Sequence, residues 1–291
     1  MTPPGTRPDD TLPDEEFIER MKNPSTGATG PDDPDQLLEL ASRLAREAGT
    51  RALTGRRSSV VERTTKSSTT DLVTQHDRAA EALIVEHLVA ERPADAIVGE
   101  EGAAHEGTSG YAWFLDPIDG TTNFVYDLPS WSTSVAVAYR GATIAGAVYV
   151  PVADELFAAR LNGGATLDGT PIECSGETAL SLALVATGFS YQPATRTAQA
   201  TAIARLIAEI RDIRRSGSAA VDLCWTAAGR VDAYFEEHLN SWDAAAGELI
   251  AREAGCITSD FNGGPADPSN IVAATPAIHA VLIDLIRRSR I

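Results

Sequence analysis

The run Trp113-Phe114-Leu115 passes directly into Asp116-Pro117-Ile118-Asp119-Gly120-Thr121-Thr122-Asn123-Phe124. A buried strand that ends in two aspartates places negative charge where it is costly, unless a cation shares the site. Gly120 and Thr121 follow at once, and backbone N–H groups at such a turn suit a phosphate oxygen. Asp-Pro-x-Asp-Gly is also an ordinary turn composition, with Pro fixing φ and Gly supplying positive φ. The rest of the chain decides between a turn and a site.

Two further acidic segments favour a site. Ile97-Val98-Gly99-Glu100-Glu101 reads as a short strand ending in glutamates, and Ser241-Trp242-Asp243 precedes an apolar helical pattern that makes Asp243 a candidate N-cap. Asp71-Leu72-Val73-Thr74-Gln75-His76-Asp77 leads into a helix expected over 79–91, where Asp77 can cap the helix and also hold a catalytic hydroxyl. Two carboxylates about 5 Å apart repel by roughly 3 kcal/mol at an effective dielectric near 20. Gathering Glu100, Asp116, Asp119 and Asp243 is therefore sensible only around metal ions, which reverse the local sign. A calcium loop does not fit: residue 118 is apolar, and no glutamate stands twelfth from Asp116.

The formal net charge of −17 argues against a nucleic-acid surface, which needs a basic stripe. No run approaches about 20 apolar residues, and no signal-peptide pattern opens the chain, so a cytoplasmic protein without membrane spans is expected. Cys174, Cys224 and Cys256 are odd in number and widely spaced, as reduced packing residues are. The five histidines are scattered, and His76 and His238 lack metal-ligand spacing.

Residues 1–34 are rich in Pro, Asp, Glu, Gly and Thr and read as a disordered acidic tail, with Phe17-Ile18 as the one candidate docking element. Asp33-Pro34-Asp35-Gln36 opens a helix that Gly49 is expected to close. From Trp131 to Ile172 the pattern becomes strand-like, with hairpin turns at Arg140-Gly141, Asn162-Gly163-Gly164 and Asp168-Gly169. Beyond Leu184, strands and helices alternate. The expected organisation is an antiparallel α+β part over 35–183, carrying most candidate metal ligands, and an α/β part over 184–291 carrying Asp243 and the substrate-selecting residues.

The motifs D-L-V-T-x-x-D, G-E-E, W-x-x-D-P-I-D-G-T-T-N-F, G-S-A-A and W-D-x-A-A-G occur in this order between about Lys66 and Gly255. In that combination the chain resembles the inositol monophosphatase family, and its bacterial inositol-1-monophosphatase branch most of all. The resemblance implies an α/β (α+β) fold layered as an α-β-α-β-α sandwich, as in the sugar phosphatases, with the site between the two parts. It implies Mg²⁺ as cofactor. Glu100, Asp116 and the Ile118 carbonyl would hold one ion, and Asp116, Asp119 and Asp243 a second, with a weaker third near Glu100. A metal-bound water would be the nucleophile, oriented by Glu100 and Thr121, with Asp77 accepting from Thr121. Gly120 and Thr121 would bind the phosphate, and Gly217, Ala219, Glu236 and Asp243 the polyol. Lys66 stands where the family has a lysine near the metal water, and a solvated surface lysine is the other reading.

The activity so implied is hydrolysis of myo-inositol monophosphate, a small-molecule phosphate monoester, by a homodimer sensitive to lithium. Histidinol-phosphate phosphatase and a sugar phosphatase acting on fructose 1,6-bisphosphate share the same metal residues and remain rivals. A regulatory partner-binding protein with an incidental metal site is the non-enzymatic alternative.

Overall fold

The computed structural model describes residue 30 and residues 32–58, 61–65 and 72–290. Most of the expected tail, and Lys66 and Asp71, lie outside the described residues. In chain order the helices are α1 (Pro34–Ser58), α2 (Gln75–Glu91), α3 (Thr121–Tyr126), α4 (Pro193–Leu206), α5 (Ala219–Ala227), α6 (Ser241–Glu253) and α7 (Pro276–Ser289). The strands are β1 (Arg63–Thr65), β2 (Leu72–Thr74), β3 (Ala96–Gly99), β4 (Ala104–His105), β5 (Tyr111–Asp119), β6 (Ser132–Tyr139), β7 (Ala142–Val150), β8 (Glu155–Arg160), β9 (Ala165–Leu167), β10 (Thr170–Ile172), β11 (Leu184–Thr187), β12 (Asp212–Arg214), β13 (Ala233–Glu237), β14 (Ile257–Asp260) and β15 (Asn270–Ala274).

Eight strands form a large sheet in the order β10-β9-β8-β7-β6-β5-β3-β4, antiparallel except for the β3/β5 pair. Five form a second sheet, β12-β11-β13-β15-β14, with β11 parallel to both its neighbours. Leu37, Ala41, Leu44, Ala45 and Ala48 of α1 and Ala80, Ile84 and Leu88 of α2 recur at helical spacing and bury one apolar stripe. They pack on Trp113, Leu115, Val135, Val137, Ala145 and Ala147, which face one side of the large sheet. The sheet's other side (Phe114, Ala136, Val148, Phe157) packs on α5 and α6, which pack in turn on Tyr234, Ile271 and Ala273 of the small sheet. Helix α7 and the end of α4 cover that sheet's far face through Leu206, Ile278, Leu282 and Ile286. The layering is α-β-α-β-α, as the family resemblance implied.

Several boundaries differ from the sequence reading. Helix α1 runs on nine residues past Gly49, which is fully inside it. A Cβ at Gly49 would meet Tyr149 and Pro151 at 2.8 Å, so this glycine serves a close helix–sheet approach rather than a helix stop. Helix α2 begins at Gln75, with Thr74 as its N-cap and Asp77 as the third helical residue. Likewise α6 is capped by Asn240, and Asp243 is again the third residue. Neither aspartate is an N-cap; both are the acidic member of a capping box, reaching back to the cap residue's N–H. The short α3 was not anticipated, because Gly-Thr-Thr-Asn reads as turn chemistry. The hairpin turns stand as expected, with positive φ at Arg140, Gly141, Asn162, Gly164, Asp168 and Gly169. Among the described residues no helix is long and apolar enough to cross a membrane.

Candidate active site

The parallel β3/β5 pairing explains how distant acids meet. Register Gly99↔Leu115 places the residues that follow, Glu100 and Asp116, side by side at one edge of the sheet, and the Glu100 N–H donates to the Leu115 carbonyl at 3.1 Å. Next along β5 the register against β6 shifts between Asp116 and Asp119, a bulge with Pro117 inside it. Pro is tolerated there because a bulged residue needs no ladder hydrogen bond. Asp116 Oδ1 accepts the Ile118 N–H at 3.0 Å, and the Pro117 carbonyl accepts from Thr133 Oγ1 at 2.8 Å, fixing the bulge. Gly120 then takes φ +93° to turn the chain into α3, a conformation that glycine adopts freely.

The second half of the chain closes on this edge with helix N-termini. Asp119 Oδ2 accepts from Ser218 Oγ at 2.6 Å and from the Ala220 N–H at 2.7 Å, at the start of α5. Ser218 also caps that helix, accepting from the Val221 N–H at 3.2 Å. Asp243 arrives on α6, whose Ala244-Ala245-Ala246-Gly247 run is buried between the sheets. Its Oδ2 accepts the Asn240 N–H at 2.7 Å, and its charge adds to the burial that raises the Asp116 carboxyl.

These residues line a cavity of about 560 Å³. Glu100, Asp116, Ile118, Asp119, Gly120, Thr121, Gly217, Ala219, Glu236 and Asp243 all border it. Asp77 does not; it stands behind the wall, fully buried, with Oδ1 accepting from Thr121 Oγ1 at 3.2 Å. The same hydroxyl lies 3.1 Å from the Ile118 carbonyl. Every expected site residue among those described is thus in the cavity wall or one hydrogen bond behind it.

Electrostatics marks the acidic end. Burial first, then the Glu100, Asp119 and Asp243 charges, push the Asp116 carboxyl well above the usual carboxylate range. Asp243 is raised well above that range by burial and by Glu100 and Asp119. Asp119 is pushed up to about 6 by burial, with the Ser218 and Ala220 donors opposing. Asp77 is raised to about 7, again by burial, against the Thr74 hydrogen bonds. Glu236, also in the cavity wall, is raised to about 7 by burial, opposed by the Tyr234 hydroxyl, which donates to Oε2 at 2.7 Å, and by Arg215.

A stack of acids each disfavoured as an anion is what a site for a hard cation looks like without its charge. Carboxylate and carbonyl oxygens suit Mg²⁺, Ca²⁺ or Mn²⁺ rather than a thiophilic metal. Yet among the described residues no three such side chains already converge on a common point. Hydrogen bonds hold Asp119 toward Ser218 and Asp243 toward Asn240, so the donor set fits a hard cation while the cage is open.

Sequence reasoning missed three residues here. Asp222 lines the cavity from α5 and is 1% exposed, and its Oδ1 lacks a hydrogen-bond partner among the described residues. Trp242 also borders the cavity, and its indole N–H has no hydrogen-bond partner among the described residues. Glu81, on α2, is buried and accepts from two backbone N–H groups of the segment carrying Glu100. An acid in the middle of an apolar helical stripe was the available signal for both Asp222 and Glu81.

The family model for the inositol monophosphatase family matches residues 33–290. The chain belongs to the inositol monophosphatase family. Among its relatives, the inositol-1-monophosphatase of Mycobacterium leprae is 40% identical over 282 residues, covering 89% of this chain and 97% of that one. The Nus factor SuhB of Vibrio cholerae is 41% identical over 251 residues, covering 84% and 94%. The solved extragenic suppressor protein suhB of Bartonella henselae superposes with a TM-score of 0.83 at 32% identity, covering 87% of this chain and 99% of that one. Membership supports phosphatase chemistry on a phosphate monoester with a metal ion. The expectation of no nucleic-acid partner gains no support from relatives that carry the name Nus factor.

Proposed function

We propose that this chain is a Mg²⁺-dependent phosphatase that hydrolyses myo-inositol monophosphate to inositol and phosphate. The observation that carries this reading is that Glu100, Asp116, Asp119 and Asp243 border one cavity that Glu236 also lines. These four carboxylates and the Ile118 carbonyl would hold Mg²⁺, which when bound supplies the positive charge that attracts phosphate and the Lewis acidity that activates water.

The chain's own groups then position the reaction. The Thr121 hydroxyl has one proton to give, and Asp77 and the Ile118 carbonyl are there to take it. Its oxygen lone pairs are thereby turned toward the cavity, where they accept a hydrogen bond from the attacking water. Glu100 accepts that water's proton as its oxygen bonds to phosphorus and the ester P–O bond breaks on the opposite side. A water beside Asp243 returns a proton to the departing alkoxide. Gly120 and Thr121 N–H groups, at the start of α3 and without intrahelical acceptors, bind the phosphate oxygens. Glu236 accepts ring hydroxyls, and the Gly217 and Ala219 backbone walls the ring. No covalent phosphoenzyme is required.

The decisive experiment compares phosphate release from inositol 1-phosphate, histidinol phosphate and fructose 1,6-bisphosphate with Mg²⁺ and after chelation. Fastest turnover of inositol 1-phosphate, lost on chelation, is expected. Preference for either rival ester would reassign the substrate. Mg²⁺ binding by calorimetry with no release from any ester would favour a partner-binding role, a reading that the name of the Vibrio cholerae relative keeps open.

A further inference from the structure

We infer that Glu81 is a positioning residue for Glu100: its buried carboxylate holds the Gly99–Ala103 turn in the shape that points Glu100 into the cavity. The inference rests on the proposed metal-binding role of Glu100.

Glu81 is 5% exposed, and both of its oxygens are used. Oε2 accepts the Glu101 N–H at 2.8 Å and Oε1 accepts the Ala103 N–H at 3.0 Å. Backbone bonds also hold the segment: Gly99 N–H to the Ala103 carbonyl at 2.8 Å, Gly102 N–H to the Gly99 carbonyl at 3.3 Å and Glu100 N–H to the Leu115 carbonyl at 3.1 Å. Glu81 therefore grips the turn on both sides of its tip, one residue beyond Glu100. Gly99 makes room for this grip: a Cβ there would stand 2.3 Å from Glu81 Oε2. Burying a carboxylate costs several kcal/mol unless hydrogen bonds to its charged form offset it. Among the described residues, the two hydrogen bonds to this carboxylate both come from the segment that carries Glu100.

Sequence spacing extends the argument. Asp77 and Glu81 are four residues apart on α2, hence on one helix face. Two like charges at that spacing disfavour a helix, and both are buried. Each is occupied by a different wall of the cavity, Asp77 by Thr121 and Glu81 by the Glu100 turn. Helix α2 thus orients a hydroxyl and a carboxylate from outside the cavity without touching what the cavity holds.

Replacing partners of this kind behind a metal ligand lowers metal affinity by roughly 10–100-fold. Glu81→Gln keeps the volume but sets an amide N–H against one of the two backbone donors. Mg²⁺ binding measured by calorimetry, with no substrate present, should weaken at least about tenfold. Turnover at saturating Mg²⁺ should fall much less, and hydrogen exchange at the Glu101 and Ala103 amides should speed up. Gly99→Ala presses on the same carboxylate from the other side and should give the same pattern with Glu81 intact. Should Glu81→Gln fail to fold, Gly99→Ala carries the test alone. Wild-type Mg²⁺ affinity in a folded Glu81→Gln or Gly99→Ala protein would overturn the inference. Glu100→Gln separates the two layers of the argument. If it loses Mg²⁺ binding while Glu81→Gln keeps it, only the positioning role fails; if it too binds normally, the metal role of Glu100 fails.

Discussion

Helices α2 and α6 begin with the same local device and put it to different uses. In each, the third helical residue is an aspartate that accepts the N–H of the cap residue, Thr74 for Asp77 and Asn240 for Asp243. Asp77 commits its second oxygen to the Thr121 hydroxyl and lies wholly behind the cavity wall. Asp243 takes both Asn240 contacts on Oδ2 and meets Asp116 within the acidic cluster that borders the cavity. One capping box builds a support and the other, under the proposed function, a metal ligand. The difference is set by what lies opposite each helix start: a hydroxyl in one case, other carboxylates in the other. A helix N-terminus also stabilises a nearby carboxylate by roughly 0.3–1 kcal/mol, which helps both sites hold charge.

The largest expected effect separates ligand from cap. Asp243→Asn keeps an oxygen that can accept the Asn240 N–H but removes the negative charge. Turnover should fall by about 10³-fold or more, some 4 kcal/mol in the barrier, while the melting temperature moves little. Near-normal turnover in a folded Asp243→Asn protein would remove Asp243 from the metal set. Next in size is the support: Thr121→Ala deletes the hydroxyl that Asp77 orients and should cost about 10²-fold in kcat, with Thr121→Ser recovering most of it. Loss of KM alone, with kcat unchanged, would make Thr121 a binding residue rather than an orienting one.

The strands, the hairpins and the acidic strand ends are legible in the sequence because each rests on local chemistry: period-two apolar runs, Asp-Gly and Arg-Gly turns, and aspartates after buried strands. The layering came from family resemblance, since apolar patterning says which face is buried but not against what. Asp77 and Asp243 read as candidate site residues and also as N-caps, and the second reading fails because Asp is favoured at both capping-box positions and only backbone geometry tells the first from the fourth. Gly49 misled for a similar reason: glycine ends helices, and it also lets two elements touch. Asp222 and Glu81 went unnoticed, as a lone acid within a helical stripe gives no sign of what it faces.

A smaller effect sharpens the contrast between the four acids proposed for the metal and Glu236, proposed for the polyol. Glu236→Gln leaves the four acids untouched and should weaken handling of a polyol phosphate by about 1–3 kcal/mol, the usual cost of leaving a buried polar group unpaired. A small aryl phosphate, which makes no such contact, should be hydrolysed almost as before. An equal loss on both substrates, read as kcat/KM, would take Glu236 out of substrate selection.

The least of the expected effects concerns stability rather than rate, and it treats the site as a charge stack awaiting a cation. Asp119 is raised to about 6, Asp77 and Glu236 to about 7, and Asp116 and Asp243 well above their ordinary range, with burial the first cause in each. Unfolded, the same groups titrate near pH 4. Between about pH 4 and 7 these groups therefore hold more protons in the folded chain than in the unfolded one, so the stability they contribute is greatest below this window and falls as pH rises through it. In chelator the melting temperature should be lower at pH 8 than at pH 5.5. Mg²⁺ binds the deprotonated folded site and should reverse this at pH 8, by roughly 5–10 °C at a concentration of about 100 Kd. At pH 5.5 protons compete for the same oxygens, so the gain there should be smaller. A Mg²⁺-induced shift equal at both pH values would mean that the ion is held somewhere other than among these carboxylates, and the distinction drawn between Asp77 and Asp243 would lose its basis.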